Sequence, residues 1–334
     1  MERVAIQIKK RLDKIDCRKI YKNYRKINFL KINFLILNNN ILYGINRVFK
    51  LEDSEQNKTY VIKNHEKYVV LEIKEKDINY DLKLIELLQR MIMVLKDEDN
   101  QINNINSELE YLIANKNQKF YELKYEENIL LAKILSGQAE EEKTWKEIIK
   151  RRLNQNKIVN KEYEILEEKG FEKYVYLKAC QLVNLKTYEM EIRKLINTLI
   201  DPIKVFDICK YFQSFGAAIL LASSTLPINF RISNNYDYSI ISFQALYDDY
   251  QSRIRKMMMY KMIHARKVKI SGKLIAARFD QVLASSDLFY LPYEIIYQKN
   301  SDKKRKTGDF IVKISPDMQI KEAYECLSLD FVLK

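Results

Sequence analysis

The stretch HARKVKISGKLIAARF, His264 to Phe279, decides how the C-terminal part of this 334-residue chain is read. Its first half alternates: Val268 and Ile270 point one way, Lys267 and Lys269 the other, the period of two that a half-buried strand requires. Ser271-Gly272 reads as a turn, and GKLIAARFDQVLA (272–284) as a helix that Ser271 can cap. Upstream, Ile254, Met257, Met258 and Met262 recur at three and four, which predicts a helix from near Tyr238 to about Ile263. Downstream, PYEIIYQ (292–298) and DFIVKIS (309–315) predict strands, with KNSDKKRKTGD (299–309) as a basic hairpin loop between them. With PINFRIS (227–233) as one more strand, the order from Pro227 is strand, helix, strand, helix, strand, strand. That order predicts an α+β domain on a mixed or antiparallel sheet.

The same region is unusual in charge. No Asp or Glu occurs from Tyr250 to Phe279. Over the whole chain 58 Lys and Arg stand against 45 Asp and Glu, a net charge of +13, which favours a polyanion as partner: nucleic acid first, an anionic membrane surface second. On the helix, Arg253, Lys256, Tyr260 and His264 step along an outward face, joined by Arg255, Lys261 and Arg266. Lys267 and Lys269 extend the surface onto the strand, and Lys273 and Arg278 lie at and after the expected strand-to-helix turn, where free N–H groups can bind phosphate. Lys303, Lys304, Arg305 and Lys306 add a basic loop. Mutual repulsion within such a cluster calls for counter-charge, and phosphates supply it while releasing condensed cations. A solvated basic face is the plain reading of a short charge run. Three successive elements without one acid favour nucleic acid.

The remaining chain falls into two segments. Residues 1–80 form a basic N-terminal segment: a helical period over 1–25, then strands in KINFLKINFLILNNNILYGI (26–45) with a turn at Asn38–Asn40, and further strands in KTYVIK and KYVVLEIK. Residues 81–200 predict a helical extension, beginning with Leu84, Leu87, Leu88, Met91, Ile92 and Leu95 at helical spacing. Within it AEEEKTWKEIIKRR (139–152) changes sign partway, as an exposed helix or a protein-docking face does. Asp201-Pro202 marks the boundary to an RNA-binding domain over 201–334, which opens with a helix from Val205 to about Ala222.

Several classes of chemistry lack their residues. The four cysteines, Cys17, Cys180, Cys209 and Cys326, form no CxxC pair, and two histidines, His65 and His264, cannot build a metal cluster. No GxxxxGK[ST], GxGxxG or HExxH motif occurs. We therefore expect no enzyme, no cofactor and no metal. No apolar run approaches the length of a membrane span; the nearest, FGAAILLASSTLPI (215–228), reads as a buried helix. The abundance of Ile, Lys, Asn and Tyr looks like translation of an AT-rich gene, organellar or low-GC bacterial. MERVAIQIKKRLDKIDCRKIYKNYRK contains Glu2, Asp13 and Asp16 and no Ser, a poor presequence, so an organellar protein of this kind would be made inside the organelle.

KVKISGKLIAARF, followed by YLPYEIIYQKNSDKKRKTGDFIVKI, resembles the C-terminal domain of small-subunit ribosomal protein 3. That family's V-x-V-S-G-R-L strand and turn, which leads into a helix, is matched by Val268-Lys269-Ile270-Ser271-Gly272-Lys273-Leu274, its proline-led strand by Pro292 to Tyr297, and its closing strand by Thr307-Gly308 and Ile311 to Ile314. LPINFRISNNYDYSIISFQALYDDYQSRIRKMMMYKMI is similar to the family's last KH strand and long following helix, so the match covers about residues 226–315. The resemblance implies a structural constituent of the ribosomal small subunit, bound to small-subunit rRNA and neighbouring small-subunit proteins. It implies that Arg253, Arg255 and Lys256 face mRNA at the entry channel. The family's GxxG loop is absent from a chain with six glycines, so the KH part is either degenerate or supplied by a separate chain. Composition and extensions look like a mitochondrially encoded protist version, at work in the mitochondrial matrix. The alternative is a free RNA- or DNA-binding factor in the cytoplasm of a low-GC bacterium, or of a phage.

Overall fold

The computed structural model describes residues 1–16, 20, 33–56, 58–74, 78–99, 118–138, 140, 143–144, 146–148, 159–223, 243–278, 283–285 and 288–327. The expected strand 227–233, the first copy of the KINFL tandem and most of the charge run 139–152 lie outside the described residues. The class is mixed α+β, as the patterns predict. Two compact units form, one of residues 1–103 with 172–192, the other of 104–171 with 193–334. They cut the chain elsewhere than at residues 80 and 200, because long helices pass from one unit into the other. No helix among the described residues is long and apolar enough to cross a membrane.

In the first unit, helix α1 (Glu2–Leu12) precedes strands β1 (Asn33–Asn38), β2 (Ile41–Gly44), β3 (Arg47–Lys50), β4 (Tyr60–Lys63) and β5 (Glu66–Glu72), then helix α2 (Tyr80–Asp99). The sheet order is β3-β2-β1-β5-β4, with β1 and β5 parallel. Asparagine makes the tight turns: Asn39 and Asn40 (φ 48° and 61°) join β1 to β2, and Asn64 and His65 (φ 52° and 64°) join β4 to β5. Such left-handed pairs match the twist of the strands they connect. The sheet curls, for Arg47 on β3 reaches Glu66 (2.7 Å) and Tyr68 on β5, past β2 and β1. Leu35, Leu42, Val61, Tyr68 and Val70 pack on the enclosed face. Helix α1 buries Ala5, Ile8 and Leu12 and contacts α2 and β2, while α2 packs on β5.

Among the described residues, four helices follow: α3 (Gln118–Leu135), α4 (Val159–Val183), α5 (Leu185–Ile200) and α6 (Ile208–Ser223). Asp201 ends α5 and caps a short 3-10 turn (Pro202–Phe206) by accepting from the Ile203 N–H at 3.0 Å. In the second unit α4 and α6 cross with Gly170 against Gly216. A Cβ on Gly216 would stand 2.1 Å from the Leu166 carbonyl oxygen, and one on Gly170 would stand 2.3 Å from the Gly216 carbonyl carbon.

Helix α7 (Phe243–Ile263) then leads into a sheet of strands β6 (Ala265–Lys267), β7 (Gly272–Arg278), β8 (Leu283–Ser285), β9 (Leu288–Leu291), β10 (Glu294–Lys299), β11 (Asp302–Thr307), β12 (Asp309–Ile314) and β13 (Gln319–Cys326). The order is β11-β10-β7-β13-β12-β9-β8, with β6 also on β13, and every pair is antiparallel. Ile254 and Met258 are buried against Leu288 and Tyr290, and Tyr250 stacks on Phe206 at 4.2 Å, so the middle of α7 is held by the sheet and by the 3-10 turn.

Three expectations are corrected here. Where a helix is expected over 272–284, which the ribosomal resemblance also implies, the described residues form strand β7 (Gly272–Arg278) and the start of β8 (Leu283–Ser285). A bulge causes the misreading: Ile296 pairs with Ala276 but Tyr297 with Leu274, leaving Ile275 extra. Both Leu274 and Ala277 are therefore buried, three residues apart, a spacing that imitates a helix. The expected basic loop is instead β11, paired along its length with β10 through a two-residue turn at Asn300-Ser301. The strand expected over 267–271 is interrupted: β6 ends at Lys267 and β7 starts at Gly272, although Val268 still donates to the Ala323 carbonyl (3.0 Å) and Ile270 is buried.

Substituting Gly216→Ala should destabilise the chain by about 3 kcal/mol or more, the upper end of overpacking costs, because backbone has to move. Chemical denaturation measures this. A second expectation concerns Lys178 on α4, whose burial lowers its amine from the ordinary value of 10.5 to about 8. The unfolded chain then binds the extra proton between those values, so this lysine's contribution to stability rises with pH through that window and is least favourable below it. Burial raises the nearby Cys180 thiol to about 11, with the opposite sign. Lys178→Met isolates the lysine: it should stabilise the protein near neutrality, and its advantage should shrink as pH climbs past 8.

Candidate nucleic-acid interface

The candidate cations lie on α7, on β6 and the segment that follows it, and on strands β7 and β11 of the sheet. Along α7, Arg253, Arg255 and Lys256 are exposed while Ile254 and Met258 are buried, the division that the helical period predicts. Arg253 pairs with Asp249 one turn earlier, and both side chains are exposed. Exposed pairs contribute roughly 0–1 kcal/mol, so this arginine can exchange its carboxylate for another anion at little cost. Arg255 and Lys256 line a groove of about 410 Å³ with Tyr247, Asp248, Gln251, Ser252 and Met259.

Lys261 behaves differently. Its Nζ donates to Tyr290 Oη (3.2 Å) and lies 4.3 Å from that ring's centroid; Tyr290 in turn donates to Asp309 Oδ2 (2.7 Å). Burial and the bond to Asp309 raise the Tyr290 phenol well above its ordinary range, which keeps it a neutral donor. Lys261 is thus a fastener between α7 and the sheet.

On the sheet, pleating puts alternate residues on opposite faces. Lys303 pairs with Gln298, Gln298 with Lys273, and Lys273 with Gln319, so these four form one cross-strand row on one face. Arg305 shares that face and bonds Glu294 at 2.9 Å. Lys304 and Lys306 take the other face, where Lys306 lies 3.9 Å from Glu325. Gly272 makes the row possible. Its φ is +131°, and a Cβ there would meet the Gln298 carbonyl oxygen at 2.1 Å.

The window that lacks acids in sequence does not lack them in space. Strand β13 brings Glu325 to Arg266 (2.7 Å) and Glu322 to Lys267 (3.9 Å). Among the described residues no carboxylate pairs with Arg255, Lys256, Lys269, Lys273, Lys303 or Lys304. Lys269 is exposed between β6 and β7. Arg278 lies on β7 opposite Glu294, and its side chain falls outside what is described. Because Gly272–Arg278 is strand, Lys273 does not sit at the helix start that the sequence suggests.

Sequence reading missed Gln298, which completes the Lys273–Lys303 row, and the glutamates of β13. The first needed strand register. The second lay beyond the stretch in which any pattern was read. No protein-family model, curated protein or solved structure matches the chain.

Gly272→Ala should lower stability by about 3 kcal/mol or more, combining overpacking with a positive φ that a side chain resists. Lys273→Ala, the exposed neighbour, should stay within about 0.5 kcal/mol of the parent. Thermal unfolding of the two variants side by side checks that the motif's glycine is structural and its lysine is not.

Proposed function

We propose that this chain is an RNA-binding constituent of a ribonucleoprotein, holding RNA by its phosphates. The observation that carries the reading is the set of uncompensated cations, Arg255, Lys256, Lys269, Lys273, Lys303 and Lys304, several of them on a helix and a paired sheet that are rigidly seated. Cations fixed in place lose little side-chain freedom on meeting phosphate, and the counterions that they release supply the driving force. Base edges are not required for this, so sequence preference should be slight.

The resemblance of residues 226–315 to small-subunit ribosomal protein 3 supplies the address: small-subunit rRNA in a mitochondrial ribosome, with Arg253, Arg255 and Lys256 toward the mRNA path and neighbouring subunit proteins or a separate KH chain alongside. Strand β7, where that resemblance implies a helix, favours a second reading, a free basic RNA-binding factor. Cosedimentation separates them. A ribosomal constituent stays with small subunits through a high-salt wash, whereas a free factor moves to the top of the gradient.

For the RNA reading itself, the test is a salt titration of affinity for a structured RNA, parent against Lys273→Ala/Lys303→Ala. Each lost phosphate contact should reduce the slope of log affinity on log salt by about 0.7–0.9, so the double variant should lose about 1.5. Affinity that does not respond to salt would sink the proposal.

A further inference from the structure

On α7 the outward stripe does not consist of charge alone. Met259, Tyr260 and Ile263 are 67%, 53% and 74% exposed, large apolar side chains in the same stripe as Arg255 and Lys256. Tyr260 and His264 stand one turn apart with ring centroids 5.4 Å from each other at 68°, edge to face. The His264 carbonyl accepts from the Leu327 N–H at 3.1 Å, which ties the end of the pair to the end of β13. Lys256, Tyr260 and His264 are spaced by four residues, about 6 Å per step along the helix axis.

We infer that this stripe is a stacking platform for an unpaired stretch of RNA, with a base on the Tyr260 ring and the adjoining phosphates on Lys256 and Arg255. The inference rests on the RNA-binding reading above and specifies which form of RNA α7 takes. Phosphates alone would need no exposed ring or aliphatic chain, and a hydrophobic protein partner would not need the cations; a polynucleotide satisfies both. Duplex RNA is excluded from the ring by geometry. The major groove of an A-form helix is too deep and narrow for side chains to read, and stacked bases about 3.4 Å apart cannot alternate with side chains at twice that spacing. The two rings are not coplanar, so one flat base pair cannot cover both. A single strand with splayed bases can, and base–aromatic stacking tolerates any sequence.

The test uses the full chain, with fluorescence anisotropy on two probes, a labelled oligouridine and an RNA duplex of equal length. Tyr260→Ala should weaken oligouridine binding about tenfold and leave duplex binding unchanged. Tyr260→Phe should restore the parent affinity, and Tyr260→Leu should not, which separates stacking from plain apolar contact. Equal loss on both probes, or none on either, overturns the platform while leaving the salt-dependent RNA reading intact. A parent protein that binds neither probe overturns that reading and the platform together. Vesicles of phosphatidylserine and phosphatidylcholine form the third arm: binding lost in Tyr260→Ala while oligouridine binding persists would make the stripe a membrane contact and overturn the inference.

Discussion

The carbonyl of Gln298 lies where a side chain on residue 272 would begin, and the C-terminal sheet is built around that approach. Only a residue without a Cβ lets β10 close on β7, and only that closure sets Lys273 beside Gln298 and Lys303 in one row. The bulge at Ile275 is part of the same arrangement. It resets the alternation so that Leu274 and Ala277 both reach the core while Lys273 stays in solvent. The Ser-Gly-Lys motif is therefore a packing device that carries a cation, and its glycine and lysine answer to different demands.

Charge in this protein is a property of the sheet and not of the chain segment. A window without acids over 250–279 suggests a face that repels cations throughout, yet β13 returns from beyond residue 318 to set Glu322 and Glu325 beside Lys267 and Arg266. What is left is smaller than the window: a helix stripe, one cross-strand row, and Lys269 and Lys304 outside both. Folding is relieved of part of the repulsion that a fully basic face would impose, and the cations that remain uncompensated are those a polyanion can still neutralise. They are exposed, so water screens the repulsion between them.

Much of the architecture was legible because local signals agreed with the fold. Asn39-Asn40 marked a hairpin through the left-handed backbone it tolerates, and Leu84 to Ile92 marked α2 through a period that buries one face. The failures share a cause as well. A bulge converts strand spacing into helix spacing, and the charged DKKRKT of β11 shows no alternation because it is an edge strand with both faces mostly in water. Edge strands are often charged for this reason, since lysines there discourage pairing with other chains. Local composition thus described a loop where pairing with β10 imposes a strand. The outward cations of α7 were legible, whereas Lys261 was not: its inward turn depends on Tyr290 and Asp309, which no helical period contains.

The two surfaces differ in what they can recognise, and the difference follows from secondary structure. A sheet row spaces side chains by the distance between strands, about 4.8 Å, and presents them at one level, which suits a run of phosphates and nothing between them. A helix stripe interleaves residues of different kind at different heights, so one turn can offer a cation and the next a ring. Lys273 and Lys303 accordingly suit a backbone whose bases are turned away, as in a duplex. Lys256 and Tyr260 suit a backbone whose bases are turned toward the protein, as in a single strand. On the RNA-binding proposal, a chain bearing both would hold a structured RNA at one surface and a passing unpaired strand at the other, without base-edge contacts at either.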